Sequence, residues 1–387
     1  MSRADLADAL LPAGLYDLLP PEAAHEAIMI ERLMAILASD GYQRVKPPLL
    51  EFEDSLLAGA GSGLATETFR LMDPVSQRMM GLRADMTVQV ARIARSRLGR
   101  APRPLRLSYA GQVLRVKGTQ LRTERQFPQV GAELIGADAA TADAEIVGLA
   151  ARALTSIGVS RLSIDLTIAA LVPDLLTALQ VEADAAIALR SALDRKDAAR
   201  LAEIDGAAAP ILLALLRAAG PADQALAAIE TIDLPDKAAA LRDRLRHVVD
   251  LLRQDMPDLA LTIDWVEHRG FEYHTGVGFT AFARGTRGEL GGGGRYLADG
   301  EPATGFTLYL DSVLRAVPAP APAPLVYVAL ADRGAAPALR ADGWAAIVGL
   351  TEAEDGAAEA QRLGCSHIWQ DGVVEPLNKG QKEATKP

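Results

Sequence analysis

Cysteine and long apolar runs are nearly absent from this sequence, and both absences limit what the protein can be. Cys365 is the single cysteine, so no disulfide can form within the chain, which predicts a reducing cytoplasm. The five histidines do not join Cys365 at the spacing of a zinc site, and we expect no metal and no cofactor. No apolar run reaches the ~18 residues that a membrane helix needs. The first residues contain acids and prolines, unlike a signal peptide.

Basic charge is also in deficit. The chain carries 40 Lys and Arg residues against 50 Asp and Glu residues, a formal net charge of −10. Non-specific binding of nucleic acid depends on lysines and arginines that meet phosphates. The composition therefore gives no support to that class of function, although an acidic protein can still carry one basic patch.

What is present is a globular composition and a clear order of elements. With 387 residues, half of them hydrophobic, the chain is long enough for two or three domains. Apolar periodicity predicts helices over 21–40, 86–98 and 139–157. Asp85 is the expected N-cap of the second helix, and GAGSG (59–63) predicts a flexible loop. Extended patterns predict strands at 105–116, 125–136, 161–166, 259–266, 275–284 and 287–290, and a short strand that leads into a helix at 305–317.

Three later segments differ in composition from the rest. Residues from about 168 to 256 are rich in Ala and Leu, with charges at helical spacing, which predicts a helical insertion. Residues 318–324 alternate Pro and Ala and predict a stiff linker. Residues 325–375 predict a small α/β domain, and 376–387 a disordered tail.

Several separated segments stand out: LPAGLYDLLPPE with GYQRVKPPLLE, LRADMT (82–87), VLR (113–115) through RQFPQVGAELIG (125–136), EHRGFEYHTG (267–276), GGGGRY (291–296) and GFTLYLDSVL (305–314). In their order and spacing they resemble the histidyl-tRNA synthetases, a class II synthetase family, and the first two resemble its dimer-forming motif. The resemblance implies an α+β fold. Residues 1–317 would form a class II synthetase-like core, with a mixed, mainly antiparallel sheet flanked by helices and interrupted by the helical insertion. Residues 325–375 would be a small α/β remnant of the family's anticodon-binding domain, without a surface for tRNA.

The same resemblance implies a pocket for free histidine. The positions that match its motifs are Asp85, Thr87, Gln129, Glu133, Arg269, Tyr273 and His274. Carboxylates accept hydrogen bonds from ammonium or N–H donors. An arginine can bind a carboxylate through two parallel N–H donors. Glycines have no side chain and therefore let the backbone approach a small ligand.

Each of these residues also has a purely structural interpretation. Asp85 could only cap its helix, and Gln129 and Glu133 could be exposed strand residues. Arg269 could pair with Glu267 or Glu272. The glycine run could be a bend or a bulge.

The departures from the family cluster on the side that binds ATP in the synthetases. Arg115 matches the arginine that grips the α-phosphate, but Lys117 replaces an acidic residue that accepts a hydrogen bond near the adenine. In motif 3, Tyr309 replaces a glycine and Ser312 replaces the arginine that clamps ATP. Loss of a donor aimed at developing charge can cost ~10²–10³ in rate. We therefore expect a vestigial ATP side and no catalytic residues.

A histidine-binding synthetase core without synthetase chemistry is similar to the family of ATP phosphoribosyltransferase regulatory subunits, which act in the first step of histidine biosynthesis. The resemblance implies a homodimer through the synthetase-like core, within a hetero-octamer with the short-form catalytic subunit. This chain would be required for the activity of that subunit, and L-histidine would be the allosteric ligand that causes feedback inhibition. Neither tRNA nor a membrane is an expected partner.

Two other functions are considered. One is an active histidyl-tRNA synthetase, and the other is a different histidine-sensing regulator that acts on a kinase or on translation. Two places are open for the inhibitory histidine, the synthetase-like pocket and the subunit interface.

Overall fold

The computed structural model describes residues 10–119, 122–267, 274–319 and 323–377. The chain divides into two compact units, Met1–Ala319 and Pro320–Pro387. Within the described ranges, no helix is both long and apolar enough to cross a membrane.

The larger unit begins with the amphipathic helix α1 (Glu22–Ser39). Its buried residues Met29, Leu33 and Leu37 recur at helical spacing. Gly41 adopts a φ of +85°, the left-handed conformation in which helices commonly end. The elements that follow are β1 (Gln43–Arg44), β2 (Leu50–Phe52), α2 (Glu53–Leu56), β3 (Arg70–Met72), β4 (Met79–Leu82), α3 (Thr87–Ser96), β5 (Leu105–Leu114), β6 (Gln126–Ile135), α4 (Ala140–Ser156) and β7 (Leu162–Ile168).

The Ala- and Leu-rich region is mostly helical, and the chain then returns to strands. The region contains α5 (Leu171–Ala178), α6 (Ala183–Asp194), α7 (Ala198–Ala202), α8 (Ala208–Arg217), β8 (Gly220–Pro221), α9 (Ala222–Ile229) and α10 (Asp236–Asp255). After it come β9 (Ala260–Asp264), β10 (Val277–Ala283), β11 (Gly291–Ala298), β12 (Glu301–Tyr309) and the short helix α11 (Leu310–Ala316).

Nine of these strands form one mixed sheet in the order β1-β5-β6-β12-β11-β10-β7-β9-β8. Its central pairs, from β5 across to β7, are antiparallel, whereas β1 with β5 and β7 with β9 are parallel. A second, small sheet has the order β2-β4-β3. This architecture confirms the expected α+β, class II synthetase-like fold.

The two faces of the large sheet contribute to different clusters of side chains, because successive side chains of a strand point to opposite faces. Val130, Phe306 and Leu308 pack on one face, in the main core that also holds buried residues of α1, α4 and the helical insertion. The opposite face carries Tyr109 and Tyr296, which belong to a separate cluster. Polar groups and glycines of the central strands share this second face, and the candidate site lies there.

The structure corrects three local predictions. Met86, and not Asp85, takes the cap position of α3, while the Asp85 carboxylate accepts the amide hydrogen of Thr87 at 2.8 Å. Segment 59–63 lies in a 3-10 helix, Gly59–Leu64, instead of an open loop. The strand expected at 287–290 starts only at Gly291 and runs through the glycine run. Pairing with neighbours on both sides holds this backbone extended despite its poor strand propensity.

The smaller unit is an α/β layer. Its elements are β13 (Leu325–Val328), α12 (Ala336–Ala341), β14 (Ala345–Val348), α13 (Gly356–Arg362), β15 (His367–Gln370) and β16 (Val373–Pro376). The sheet order is β14-β13-β15-β16, with β13 parallel to both neighbours and β16 antiparallel to β15. Pro376 therefore belongs to a strand and not to the expected tail. Residues 378–387 of that tail and 320–322 of the expected linker lie outside the described residues.

Candidate functional site

A row of glycines across the central strands makes room for the candidate site. Gly278 of β10, Gly294 of β11 and Gly305 of β12 are cross-strand partners, and Glu133 of β6 continues the same row. A Cβ atom at Gly305 would overlap the Glu133 carboxylate, and one at Gly294 would lie 2.9 Å from Cε1 of His274. The glycine run is therefore regular strand, and side chains at these positions would fill the site.

Above this row lies a small cavity of about 10 Å³, room for roughly one water molecule. It is lined by Thr87, Glu133, His274, Gly292, Gly293, Gly294, Tyr296, Gly305, Phe306 and Thr307. Three of the residues that the sequence assigned to a histidine pocket, Thr87, Glu133 and His274, are thus brought together, although they come from three distant parts of the chain.

Glu133 is the carboxyl group at the centre of the site. The residue is 1% exposed. The Tyr296 hydroxyl donates to its Oε2 at 2.9 Å and the Tyr109 hydroxyl to its Oε1 at 3.2 Å. Burial raises the pKa of Glu133 to about 8, because these hydrogen bonds offset only part of the desolvation and the Asp85 carboxylate adds like charge. Glu133 is consequently mostly protonated at pH 7.

Asp85 and Gln129 lie behind the cavity lining. Their hydrogen bonds connect the N-terminal end of α3 to β6. The Gln129 side-chain amide donates to Asp85 Oδ2 at 2.9 Å, and its oxygen accepts the amide hydrogen of Met86 at 3.1 Å. Both residues are buried. The expectation that Gln129 and Glu133 could be exposed strand residues is therefore wrong for both.

His274 closes the cavity on the β10 side. Its ring lies against the backbone of Gly278 and Gly294. Burial lowers the pKa of His274 to about 4, so its imidazole is neutral at pH 7. Arg269 and Tyr273, the other two residues expected in this pocket, lie outside the described residues.

The residues expected on the ATP side do not form one open site. Arg115 donates from Nε to the carbonyl oxygen of Ala84 at 3.3 Å, and that nitrogen lies 3.4 Å from Glu67. Lys117 is exposed. Tyr309 and Ser312 are both buried, so neither presents its side chain to solvent.

Arg122 explains that burial, and sequence reasoning missed it. The Arg122 guanidinium lies 3.8 Å over the Tyr309 ring and 4.9 Å over the Phe127 ring. It donates from Nε to Asp311 Oδ2 at 3.0 Å and from Nη2 to Ser312 Oγ at 3.2 Å. An arginine in a polar loop looks like any surface residue, so no local signal could have singled it out.

Two tyrosines and a threonine of the site were also missed. Tyr109, Tyr296 and Thr307 share the sheet face of Glu133, and the Thr307 hydroxyl lies 2.8 Å from that of Tyr109. Tyr296 and Thr307 stand two residues after Gly294 and Gly305, and this period-two spacing could have identified those two once strand register was known. In the described parts of the chain, no cluster of His, Cys, Asp or Glu could hold a metal ion.

The fold and the site together define a histidyl-tRNA synthetase-like protein. The family model described as histidyl-tRNA synthetase matches residues 14–313. A Bacillus halodurans structure titled as an ATP phosphoribosyltransferase regulatory subunit/histidyl-tRNA synthetase superimposes with a TM-score of 0.80 at 24% identity, and the match covers 91% of this chain and 96% of that one.

Curated relatives narrow the family. The ATP phosphoribosyltransferase regulatory subunit of Paramagnetospirillum magneticum is 58% identical over 370 residues, which cover 95% of this chain and 98% of the relative. That of Rhodospirillum centenum is 55% identical over 372 residues, which cover 95% and 96%. The chain belongs to the family of ATP phosphoribosyltransferase regulatory subunits.

Proposed function

We propose that this chain regulates ATP phosphoribosyltransferase in the first step of L-histidine biosynthesis, where it is required for activity of the short-form catalytic subunit and for feedback inhibition by histidine. The observation that carries the proposal is the 58% identity, over 95% of the chain, to a protein named as the regulatory subunit of that enzyme. The contrast between the polar groups kept around Glu133 and a filled ATP side supports it.

The inhibitory L-histidine binds at the polar groups around Glu133, and the site widens to admit it, because the cavity now has room for about one water. A carboxyl group with raised pKa, two tyrosine hydroxyls and Thr87 can pair with the polar nitrogens of an imidazole and with an ammonium group. Bare glycine backbone lets a small ligand approach closely. Asp85 and Gln129 position this wall through their mutual hydrogen bond. Arg269 and Tyr273 complete the proposed set.

The chain is not a catalyst in this proposal. Ser312 cannot replace an arginine that clamps a phosphate, Tyr309 fills space beside it, and Lys117 cannot accept a hydrogen bond. Loss of even one such donor costs ~10²–10³ in rate. Activation of histidine by ATP and charging of tRNA are therefore absent from the proposed function.

The proposed assembly is a cytoplasmic hetero-octamer. Two copies of this chain pair through the synthetase-like core, and the short-form catalytic subunit binds the resulting dimers. Histidine inhibits because it binds one quaternary state better than another, which is the only way in which a ligand can shift such an equilibrium.

Phosphoribosyl transfer to ATP by the catalytic subunit tests the proposal directly. The rate is measured with and without this chain, and with added histidine. We expect a rate that rises when the chain is added and falls again with histidine. No response to either addition would refute the regulatory function, and histidine-dependent exchange of ATP with pyrophosphate would support a synthetase instead.

Variants then test the pocket. Glu133→Ala and Gln129→Ala should keep the activation and weaken the inhibition by at least tenfold in histidine concentration. Glu375→Ala, which removes an exposed carboxylate from the smaller unit, is the matched control and should behave as the unmodified chain. Unchanged inhibition in Glu133→Ala would place the inhibitory histidine elsewhere, at the subunit interface.

A further inference from the structure

We infer that an open groove beside helix α3 binds a segment of the catalytic subunit in which carboxylates flank one apolar side chain. The inference rests on the proposed function, since the partner is the enzyme that this chain is proposed to regulate. It assigns a contact surface to that partner, which the proposed function leaves without a place on the chain.

Positive charge is concentrated around this groove. The whole chain carries a net charge of −10, yet residues 86–106 contain six arginines and no lysine or acidic residue. These arginines are Arg92, Arg95, Arg97, Arg100, Arg103 and Arg106. Within the described ranges, Arg97 and Arg100 are exposed and form no ion pair. The end of α3 therefore carries positive charge that the chain itself does not balance, which favours an acidic partner.

The groove has a volume of about 80 Å³, about eight times that of the cavity beside Glu133. Apolar side chains of Ala58, Val88, Ala91 and Leu297 line it, together with Arg92 and Arg95. Since ~10–15 Å³ holds one water, the space equals roughly five to eight waters and can take one branched or aromatic side chain. Leu297 is 53% exposed, so part of this apolar lining faces solvent.

The two arginines of the groove differ in how firmly they are held. Arg92 donates from Nε to Glu51 Oε2 at 2.8 Å, and the Glu51 side chain is 8% exposed, so this pair is a fixed part of the wall. The Nε of Arg95 lies 3.0 Å from Asp299 Oδ2, and both side chains are more than half exposed. Exposed pairs contribute little stability, so Arg95 can exchange Asp299 for a carboxylate of a partner.

An open groove of this kind suits a protein segment better than a metabolite. Metabolite sites bury most of their ligand and converge several polar groups on it, whereas the charged groups here lie on α3 and at the end of β11. Protein interfaces combine a pocket for an apolar anchor with a polar rim, and arginine is enriched in them. Residues 11–22 and 41–51, which resemble the dimer-forming motif, do not line the groove. This separates it from the expected contact between two copies.

Calorimetric titration of the full chain with the short-form catalytic subunit, at about 50 and about 300 mM salt, tests the inference. Arg95→Glu should weaken binding by about tenfold or more, because a charged contact is lost and a like charge takes its place. The affinity of the unmodified chain should also fall more steeply with salt than that of the variant.

Asp299→Asn should act in the opposite direction. It removes the carboxylate that competes for Arg95, and asparagine tolerates the left-handed φ of +54° at this position. Binding should therefore tighten by about threefold or more. An ion pair with a purely structural role would instead give a loss, or no effect, for both variants.

Arg200→Glu is the matched control. Arg200 forms an exposed pair with Glu203 in the helical insertion, and reversal of its charge should leave binding unchanged. Leu297→Ser tests the apolar part of the groove without a change of charge, and it should weaken binding at both salt concentrations. In every variant the chain alone should keep its oligomeric state and its histidine affinity, since none of these residues lines the cavity at Glu133.

Two results would overturn the inference alone. One is binding of the catalytic subunit that is unchanged, or equally weakened, in Arg95→Glu and Asp299→Asn. The other is dissociation of the chain's own dimer in Arg95→Glu, which sedimentation would detect and which would assign the groove to a second copy. If the unmodified chain does not bind the catalytic subunit at all, the proposed function is refuted and the inference with it.

Discussion

At the scale of single residues, the buried Glu133 makes the stability of the folded chain depend on pH. The folded chain raises the pKa of Glu133 to about 8, whereas a glutamate in an unfolded chain titrates near 4.3. The folded state therefore binds this proton more tightly. Its contribution to stability is fully present below pH ~4.3 and is lost progressively as the pH rises through about 8.

Replacement of Glu133 by Gln should remove this loss. Glutamine is similar in size and has no proton to lose, so Glu133→Gln should become more stable relative to the unmodified chain as the pH rises from 5 to 8. Urea unfolding at pH 5, 7 and 9 measures the difference. Parallel stability curves for the two proteins would show that Glu133 is not the buried acid described above.

The same carboxyl group predicts a pH optimum for histidine binding. Glu133 keeps its proton below about pH 8, and a free imidazole loses its proton above ~6.5. Between these limits the protonated carboxyl group can donate to the unprotonated nitrogen of a neutral imidazole, a hydrogen bond that is lost when either group changes its protonation state. Affinity should fall by about tenfold per pH unit outside that window.

Other groups that face Glu133 should not change this profile. Burial raises the pKa of Tyr109 far above its usual value and lowers that of His274 to about 4, and the Tyr296 hydroxyl donates its hydrogen to Glu133. The Asp85 carboxylate contributes like charge. Titrations with histidine between pH 5.5 and 9 measure how affinity depends on pH. In Glu133→Gln, only the fall in affinity at alkaline pH should disappear. A flat profile for the unmodified chain would contradict the prediction.

At the scale of elements, one buried carboxylate ties the helical insertion to the site strand. Asp143, at the start of α4, accepts from Arg295 of β11 at 2.9 Å and from Arg244 of α10 at 2.8 Å. Arg295 stands between Gly294 and Tyr296, which both line the cavity. The insertion is thus joined through two arginines to a strand that lines the candidate cavity.

Loss of this carboxylate should be more costly than loss of either arginine alone. Asp143→Asn leaves two arginines with only the exposed Asp138 as a shared carboxylate, and it should destabilise the chain by about 3–5 kcal/mol, the range for one broken buried pair. Arg244→Ala keeps the pair of Asp143 and Arg295 and should cost about 1–3 kcal/mol. Denaturant unfolding gives both values.

The control lies on the same helix. Arg246 pairs with the exposed Glu230, and exposed pairs contribute little, so Arg246→Ala should change stability by less than about 1 kcal/mol. Equal losses for Arg244→Ala and Arg246→Ala would mean that burial of Asp143 does not strengthen its ion pairs.

At the scale of the whole molecule, the site belongs to one unit. The main core and the cluster around Tyr109 lie entirely before residue 320, and the smaller unit has a core of its own around Val326, Val328 and Tyr327. A chain that ends at Ala319 should therefore fold and bind histidine within about twofold of the full chain. Circular dichroism and calorimetric titration test this, and failure of the shortened chain to fold would show that the smaller unit supports the larger one.

Particular elements show how far the sequence could predict this molecule. The helix at 21–40 and the strand pair 105–116 and 125–136 have strong periodicity and short-range signals, and the structure places α1, β5 and β6 there. The sequence predicts a strand at 287–290 and leaves a bend or bulge open for the glycine run. The run lies inside a strand instead, since pairing on both sides outweighs the low strand propensity of glycine.

The sequence by itself determined the synthetase-like fold and the family, because motif residues and apolar periodicity are properties of the linear chain. Only the tertiary structure decided that Thr87, Glu133 and His274 share one cavity while Asp85 and Gln129 stand behind it. It alone showed that Arg122 covers Tyr309 and Ser312. Contacts between residues nearly 200 positions apart arise from strand order and register, and no local pattern records them.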